Sequence, residues 1–260
     1  MLSLEEIKNN YSHPFQTYER HILREYLQYK ILEIIYSSKF GSKLVFMGGT
    51  ALRVVYDNQR FSEDLDFDNK GVNKEEFTEL SEIIKDNLEK EGLKVEIKLT
   101  FKEAFRCYIK IKELLFEKDI TPHTGEKLTI QVDAFPQKYD YTPNYYNLDK
   151  FDVYKKIKVA PLSLILSQKI YCIFNRNRRM GRDFFDIDFI INNKKESPDW
   201  NYLKQKIGIT KKKELKERLK KEVEDINFEK LAEKTSFLLL QKEQVKRIEN
   251  FYKKIKTWNL

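Results

Sequence analysis

At 260 residues the chain has room for one large domain or two small ones with a sizeable core. Hydrophobic residues at 41% and charged residues at 35% describe a water-soluble globular protein, and no apolar run approaches the ~20 residues of a membrane span. Two cysteines and three histidines without ligand spacing exclude a disulfide framework and a histidine-based zinc site, and they fit a reducing cytoplasm. The charged N-terminal segment does not read as a secretory signal. The net charge of +8 is unevenly spread: residues 1–149 carry 21 basic and 26 acidic side chains, residues 150–260 carry 28 and 15. A basic C-terminal half either faces a polyanion, RNA being the obvious one, or consists of solvated lysine-rich helices.

In chain order, Ile22, Leu23, Tyr26, Leu27, Ile31, Ile34 and Ile35 recur at helical spacing and predict a core helix over residues 17–39. Leu44, Val45 and Phe46 form a short apolar run that Gly48-Gly49 interrupts. Residues 50–56 then suit a short helix whose free amides lie beside the glycines, a place for a phosphate. From Asp64 to Phe67 acid and apolar residues alternate with the period of a half-buried strand. Leu65 and Phe67 point to the core, and Asp64 and Asp66 share the opposite face. Two carboxylates on one strand face, next to a glycine-fronted helix, suit hard cations that carry nucleotide phosphates. Asp64, Asp66, Asp68 and Glu75 also match a calcium-loop spacing, but that loop needs glycine where this chain has Asn69, and Leu65 and Phe67 favour a strand.

Asn73 with Glu76 resembles a capping box, and Phe77, Leu80, Ile84 and Leu88 continue an amphipathic helix towards Gly92. Alternation predicts strands over residues 93–101 and around Cys107, Ile109 and Ile111, then a turn at residues 121–125. Residues 128–135 form a further strand, with Thr129, Gln131 and Asp133 on its polar face. Residues 136–158, rich in Tyr, Asn, Asp and Pro, read as a loop-rich linker. From Val159 onward only helices are expected. Pro161 suits a first helical position, and Leu162, Ile165, Leu166, Ile170 and Ile173 supply a buried face. Lys169 within that helix is either a snorkelling lysine or a cation directed at nucleotide phosphates. A basic turn over residues 175–182 leads to Asp183 and Asp186, three apart on one helix face. Residues 215–240 and 245–258 look like lysine-rich amphipathic helices.

Gly48-Gly49-Thr50-Ala51-Leu52-Arg53 followed by Arg60-Phe61-Ser62-Glu63-Asp64-Leu65-Asp66-Phe67 resembles the AbiEii/AbiGii toxin family of nucleotidyltransferases, in the DNA polymerase β-like superfamily. The block Lys169…Arg178…Arg182-Asp183-x-x-Asp186 is similar to that family's second motif. The resemblance covers roughly residues 17–192. It implies an α/β fold: a nucleotidyltransferase core over residues 1–150, with a small mixed sheet, then a helical C-terminal lobe over residues 151–260 that completes the active site. It implies a metal-dependent enzyme, the toxin half of a bacterial toxin–antitoxin or abortive-infection pair. The reaction would move a nucleoside monophosphate from an NTP to an acceptor hydroxyl, on RNA such as a tRNA 3′ end. The alternatives are a small-molecule or protein hydroxyl as acceptor, or a non-catalytic nucleotide-binding module. Asp64 and Asp66, with Asp133 from a later strand, would hold two Mg²⁺ ions. Gly48, Gly49, Thr50 and Ser62 would meet the phosphates, as would Lys169, with Asp183 or Asp186 orienting Lys169 or the acceptor. A cognate antitoxin encoded nearby is the implied partner.

Overall fold

The computed structural model describes residues 1–258. The described chain forms two compact units, one of residues 1–56 and 61–159, the other of residues 57–60 and those from 160 onward. No helix among the described residues is long and apolar enough to cross a membrane.

The first unit is a seven-stranded mixed sheet with helices. Its strands are β1 (Leu44–Met47), β2 (Leu65–Asn69), β3 (Lys94–Phe101), β4 (Phe105–Lys112), β5 (Leu128–Phe135), β6 (Asn144–Lys150) and β7 (Val153–Val159). They lie in the order β3-β4-β5-β2-β1-β7-β6. Its helices are α1 (Leu4–Lys8), α2 (Glu19–Ser37), α3 (Gly48–Tyr56), α4 (Lys74–Lys90) and the single turn α5 (Leu114–Glu117). β1 is buried throughout, so the apolar run before the glycines is a strand covered on both faces. Helix α4 starts on the expected capping box: Asn73 accepts from the Glu76 amide, and the Glu76 carboxylate accepts from the Asn73 amide.

The linker expected over residues 136–158 is instead mostly a hairpin, β6 and β7, paired antiparallel from Asn144↔Val159 to Lys150↔Val153. The polar composition that suggests a loop belongs to the sheet's edge, where β6 buries Leu148 alone. Strand β7 buries Val153, Ile157 and Val159 and runs parallel to β1. That junction is narrow, with Phe46↔Val159 its one register pair. Tyr36 of α2 reinforces it: its phenol donates to the Lys158 carbonyl at 2.7 Å, has the Leu44 carbonyl 3.2 Å away, and accepts from the Phe46 amide at 3.1 Å.

The second unit is built from α6 (Leu162–Asn175), α7 (Gly181–Asn193), α8 (Trp200–Ile207), α9 (Lys212–Glu222), α10 (Phe228–Glu233), α11 (Lys246–Glu249) and α12 (Phe251–Lys254). Pro161 is the cap of α6, one residue ahead of the first helical position expected for it. The long helices expected at residues 215–240 and 245–258 are broken into short ones. The Asn227 side chain accepts from the Lys230 amide and starts α10 afresh, and Thr235 leads into a 3₁₀ turn. Residues 57–60 join this unit through an Arg60↔Leu239 bridge and a Leu240 amide that donates to the Gln59 carbonyl at 3.2 Å.

Tyr36→Phe keeps the ring and deletes the hydroxyl that links β1 to β7. The Phe46 amide and the Lys158 carbonyl then lose a partner in a half-buried place, which should cost about 1–3 kcal/mol. Urea unfolding of the two proteins measures this, and equal midpoints would show that the backbone pairing alone holds the junction.

Candidate functional site

Strand β2 lies between β5 and β1, and its register places the first group of candidate residues. Asp66 pairs with Asp133 of β5 and with Met47 of β1, and Asp133 pairs with Arg106 of β4. Register partners emerge on the same face of a sheet, so Arg106, Asp133, Asp66 and Met47 form one row across four strands. Leu65 and Phe67 are buried on the other face, and Asp66 is half-buried.

Both residues of the Asp64–Asp66 pair are tied to the start of α3, Asp66 through its carboxylate and Asp64 through its main chain. Gly48 has φ +78°, a conformation that side chains disfavour, and a Cβ there would stand 2.8 Å from Asp66 Cγ. The Asp66 carboxylate therefore lies directly against the glycine backbone. Buried Thr50 donates its hydroxyl to the Asp64 carbonyl. That hydroxyl is thus engaged within the protein, and what Thr50 can offer a phosphate is its amide, beside that of buried Gly49 at the helix start. The segment leading into β2 is pinned to α2: Gln28 donates to the Ser62 carbonyl at 3.0 Å and Arg24 to Glu63 at 3.1 Å. The Ser62 hydroxyl makes no hydrogen bond among the described residues.

Asp133 is held differently. It accepts from Arg106 Nε at 3.2 Å on one oxygen and from Gln131 at 2.8 Å on the other. Burial pushes its carboxyl above the ordinary range, and Arg106 and Gln131 offset part of that rise. Among the described residues no three His, Cys, Asp or Glu side chains are gathered closely enough to form a metal cage. The donor chemistry nonetheless suits magnesium, which is commonly held by one or two carboxylates together with substrate phosphates and water. Asp68, on the same face one pleat further along β2, takes no part in this row. It is fully buried, accepting from the Gln137 amide at 2.9 Å and from the Tyr141 hydroxyl at 2.8 Å, with Lys70 at 2.9 Å. Asn69 accepts from the Gly71 and Val72 amides and makes a tight turn, which closes the calcium-loop reading.

The second group lies in the second unit. Lys169 of α6 has its Nζ 3.0 Å from Asp183 and 2.9 Å from Asp186, both on α7. Its side chain is 11% exposed, so the lysine ends in an internal ion cluster rather than extending to water. Burial disfavours its charge, but Asp186 and Asp183 outweigh burial and hold the ammonium above its ordinary value. Asp186 has no exposure and is met on both oxygens: Arg60 donates from Nε at 2.7 Å and from Nη2 at 2.6 Å, and Asn58 donates at 2.8 Å. Burial works against its charge too, yet Arg60 and Lys169 hold it down at about 2. Asp183 accepts from Arg176 at 2.7 Å. Gly181, at the start of α7, gives room for the Leu231 carbonyl, which a Cβ would meet at 2.7 Å.

Sequence reasoning gave no role to Arg60, Asn58, Arg106 or Arg176. Arg60 had one signal, its place inside the motif, but an arginine in a basic chain reads as surface until its buried partner is seen.

The sequence profile of the family described as "Nucleotidyl transferase AbiEii toxin, Type IV TA system" matches residues 30–254. Among solved structures the chain is similar to JHP933 from Helicobacter pylori, at 19% identity over 92% of this chain and 93% of that one, with a TM-score of 0.58. It is also similar to a candidate nucleotidyltransferase from H. pylori, at 20% identity over 92% and 96% of the two chains, with a TM-score of 0.56. At these identities the likeness concerns the fold. No curated protein matches the chain.

Asp186→Asn leaves Lys169 and Arg60 short of their shared counter-charge and should cost about 3–5 kcal/mol, the scale for halving a buried ion pair. Because the Asp186 carboxyl is depressed from 3.8 to about 2, its stabilisation is complete above about pH 4 and is lost as pH falls through 2. Denaturant melts of wild type between pH 5 and 2 should show that loss, and the Asn variant should show a weaker dependence. Parallel pH profiles for the two proteins would contradict the pairing.

Proposed function

Because this chain belongs to the AbiEii nucleotidyl transferase toxin family, we propose that it transfers a nucleoside monophosphate from an NTP to an acceptor hydroxyl on RNA, releasing pyrophosphate. The observation that supports this most is the anchoring of Asp64 and Asp66 to the start of α3. The Thr50 hydroxyl holds the Asp64 main-chain carbonyl, and the Asp66 carboxylate packs closely on Gly48. This sets the half-buried Asp66 carboxylate beside helix-start amides, with Asp64 two residues ahead of it on a tethered main chain, and such an arrangement suits a nucleotide–metal complex.

Magnesium, held by Asp64 and Asp66 with Asp133 as a third donor, would supply neutralisation of phosphate charge and polarisation of the acceptor oxygen. The protein's own groups do the positioning. The Gly49 and Thr50 amides and the Ser62 hydroxyl donate to phosphate oxygens. Arg106 and Gln131 keep the Asp133 carboxylate in a fixed direction. In the second unit, Lys169 with Arg60 and Arg176 makes three cations against Asp183 and Asp186, so that cluster keeps a formal surplus of positive charge. Catalysis of this kind rests on orientation and electrostatics, so few side chains are needed. The acceptor is RNA on the strength of the basic C-terminal half, and the partner is the antitoxin of a toxin–antitoxin pair.

The test is transfer of label. With Mg²⁺, each α-labelled NTP in turn and total bacterial RNA, the wild-type protein should label a tRNA-sized band. Labelling should fade as salt rises from about 50 to 200 mM. Asp64→Asn and Asp66→Asn should each reduce labelling by at least about a hundredfold, since a charged group acting on the reacting phosphates contributes about 2.7–4 kcal/mol. Both variants should melt as wild type does, because neither carboxylate is in the core. Label on protein or on a small molecule would replace RNA as the acceptor, and full labelling by a folded Asp66→Asn protein would remove the metal-site assignment.

A further inference from the structure

Helix α7 carries a third acid, Asp188, that takes no part in the Lys169 cluster. Two residues beyond Asp186, it points some 200° further round the helix. It is fully buried, and it accepts from Lys254 at 2.9 Å and Asn192 at 2.7 Å on one oxygen and from Arg247 at 2.9 Å on the other. Beside this cluster lies a recess of about 470 Å³, lined by Asp188, Asn192, Asn193, Lys246, Arg247 and Lys254 among others.

The recess has an excess of positive charge that the protein does not neutralise. Three cations line it against one carboxylate, a formal +2. Lys246 forms no ion pair among the described residues. Arg247 donates Nη1 to Asp188 and, at 2.8 Å, to Asn193, while its Nε and Nη2 make no bond among the described residues. Buried Asp188 fixes Arg247 and Lys254 in place, so the two cations converge on one recess without losing side-chain freedom when a ligand arrives. An asparagine amide adds a neutral donor. A convergent set of ammonium, guanidinium and amide donors around a single satisfied carboxylate is a receptor for an oxyanion.

We infer that this recess is a subsite for a phosphate group, presented by an RNA backbone or by a free phosphate compound. The inference stands apart from the transfer reaction, since it uses none of the carboxylates of the first unit.

Lys246→Glu takes the formal charge of the lining from +2 to 0 and leaves every contact of Asp188 in place. Arg247→Lys keeps the charge and removes the planar fork. Binding is measured in EDTA, which silences any metal-held phosphate, with pyrophosphate by calorimetry and with a fluorescent single-stranded RNA by anisotropy. Lys246→Glu should melt as wild type and weaken binding of at least one probe by about tenfold or more, the scale of a lost charge-assisted contact. For RNA the salt dependence should also become shallower. Loss confined to RNA assigns the recess to a backbone phosphate, and loss confined to pyrophosphate assigns it to a free phosphate compound. Wild type that binds neither probe overturns the subsite, as do folded Lys246→Glu and Arg247→Lys proteins that bind both probes within about twofold of wild type. An Asp64→Asn/Asp66→Asn protein should bind as wild type in EDTA, so failure of the transfer reaction leaves this result intact.

Discussion

A carboxylate taken out of water must be met by donors or give up its charge, and this constraint organises both units. Glu25 of α2 is 3% exposed and is met by Arg53 of α3 at 2.7 Å, Lys150 of β6 at 2.8 Å and the Tyr11 hydroxyl at 2.9 Å. Burial opposes its charge, but Arg53 and Lys150 win and hold it down at about 2. Asp68, Asp183, Asp186 and Asp188 are likewise buried and each has two or more donors. Asp64, Asp66 and Asp133 break the pattern by keeping part of their surface in solvent.

The buried pairs also explain how the open ones are held. Glu25 grips Arg53 in the last turn of α3, the helix whose first residues touch Asp64 and Asp66. The Arg53 guanidinium also lies over the Phe61 ring, 5.5 Å from its centre, at the entry to β2. The helix that offers its amides is therefore fixed at both ends, by an ion pair behind and by a glycine–carboxylate approach in front. Precision of this sort suits a site whose task is to orient phosphates and not to react covalently.

Much of the frame was legible from local pattern. Residues 128–135 alternate cleanly because β5 has strands on both sides and one polar face, and the strand has those same bounds. Asn73 and Glu76 announce α4 because a capping box is a local arrangement needing no tertiary partner. The hairpin of β6 and β7 was not legible, since an edge strand facing solvent carries the same Tyr, Asn and Asp residues as a loop. Asn227 was a usable cap signal inside the supposed long helix. Within the site, the spacing of Asp64 and Asp66 could be read, and so could the shared face of Asp183 and Asp186. The approach of Asp66 to Gly48 could not, because it joins residues that only β-pairing brings together.

The acidic run Asp183-Phe184-Phe185-Asp186-Ile187-Asp188 shows why residue type alone does not decide role. All three acids are buried on one helix, and all three have cationic partners. Helical geometry separates them: Asp183 and Asp186 lie one turn apart and share Lys169, whereas Asp188 turns away to Arg247 and Lys254. The aromatic residues between them fill the remaining directions, with Phe184 edge-on to Phe228 at 5.2 Å and to Phe251 at 4.7 Å. Packing on those rings fixes the helix rotation, and the rotation decides which lysine each aspartate meets. The charge chemistry of the second unit is thus set by its apolar core.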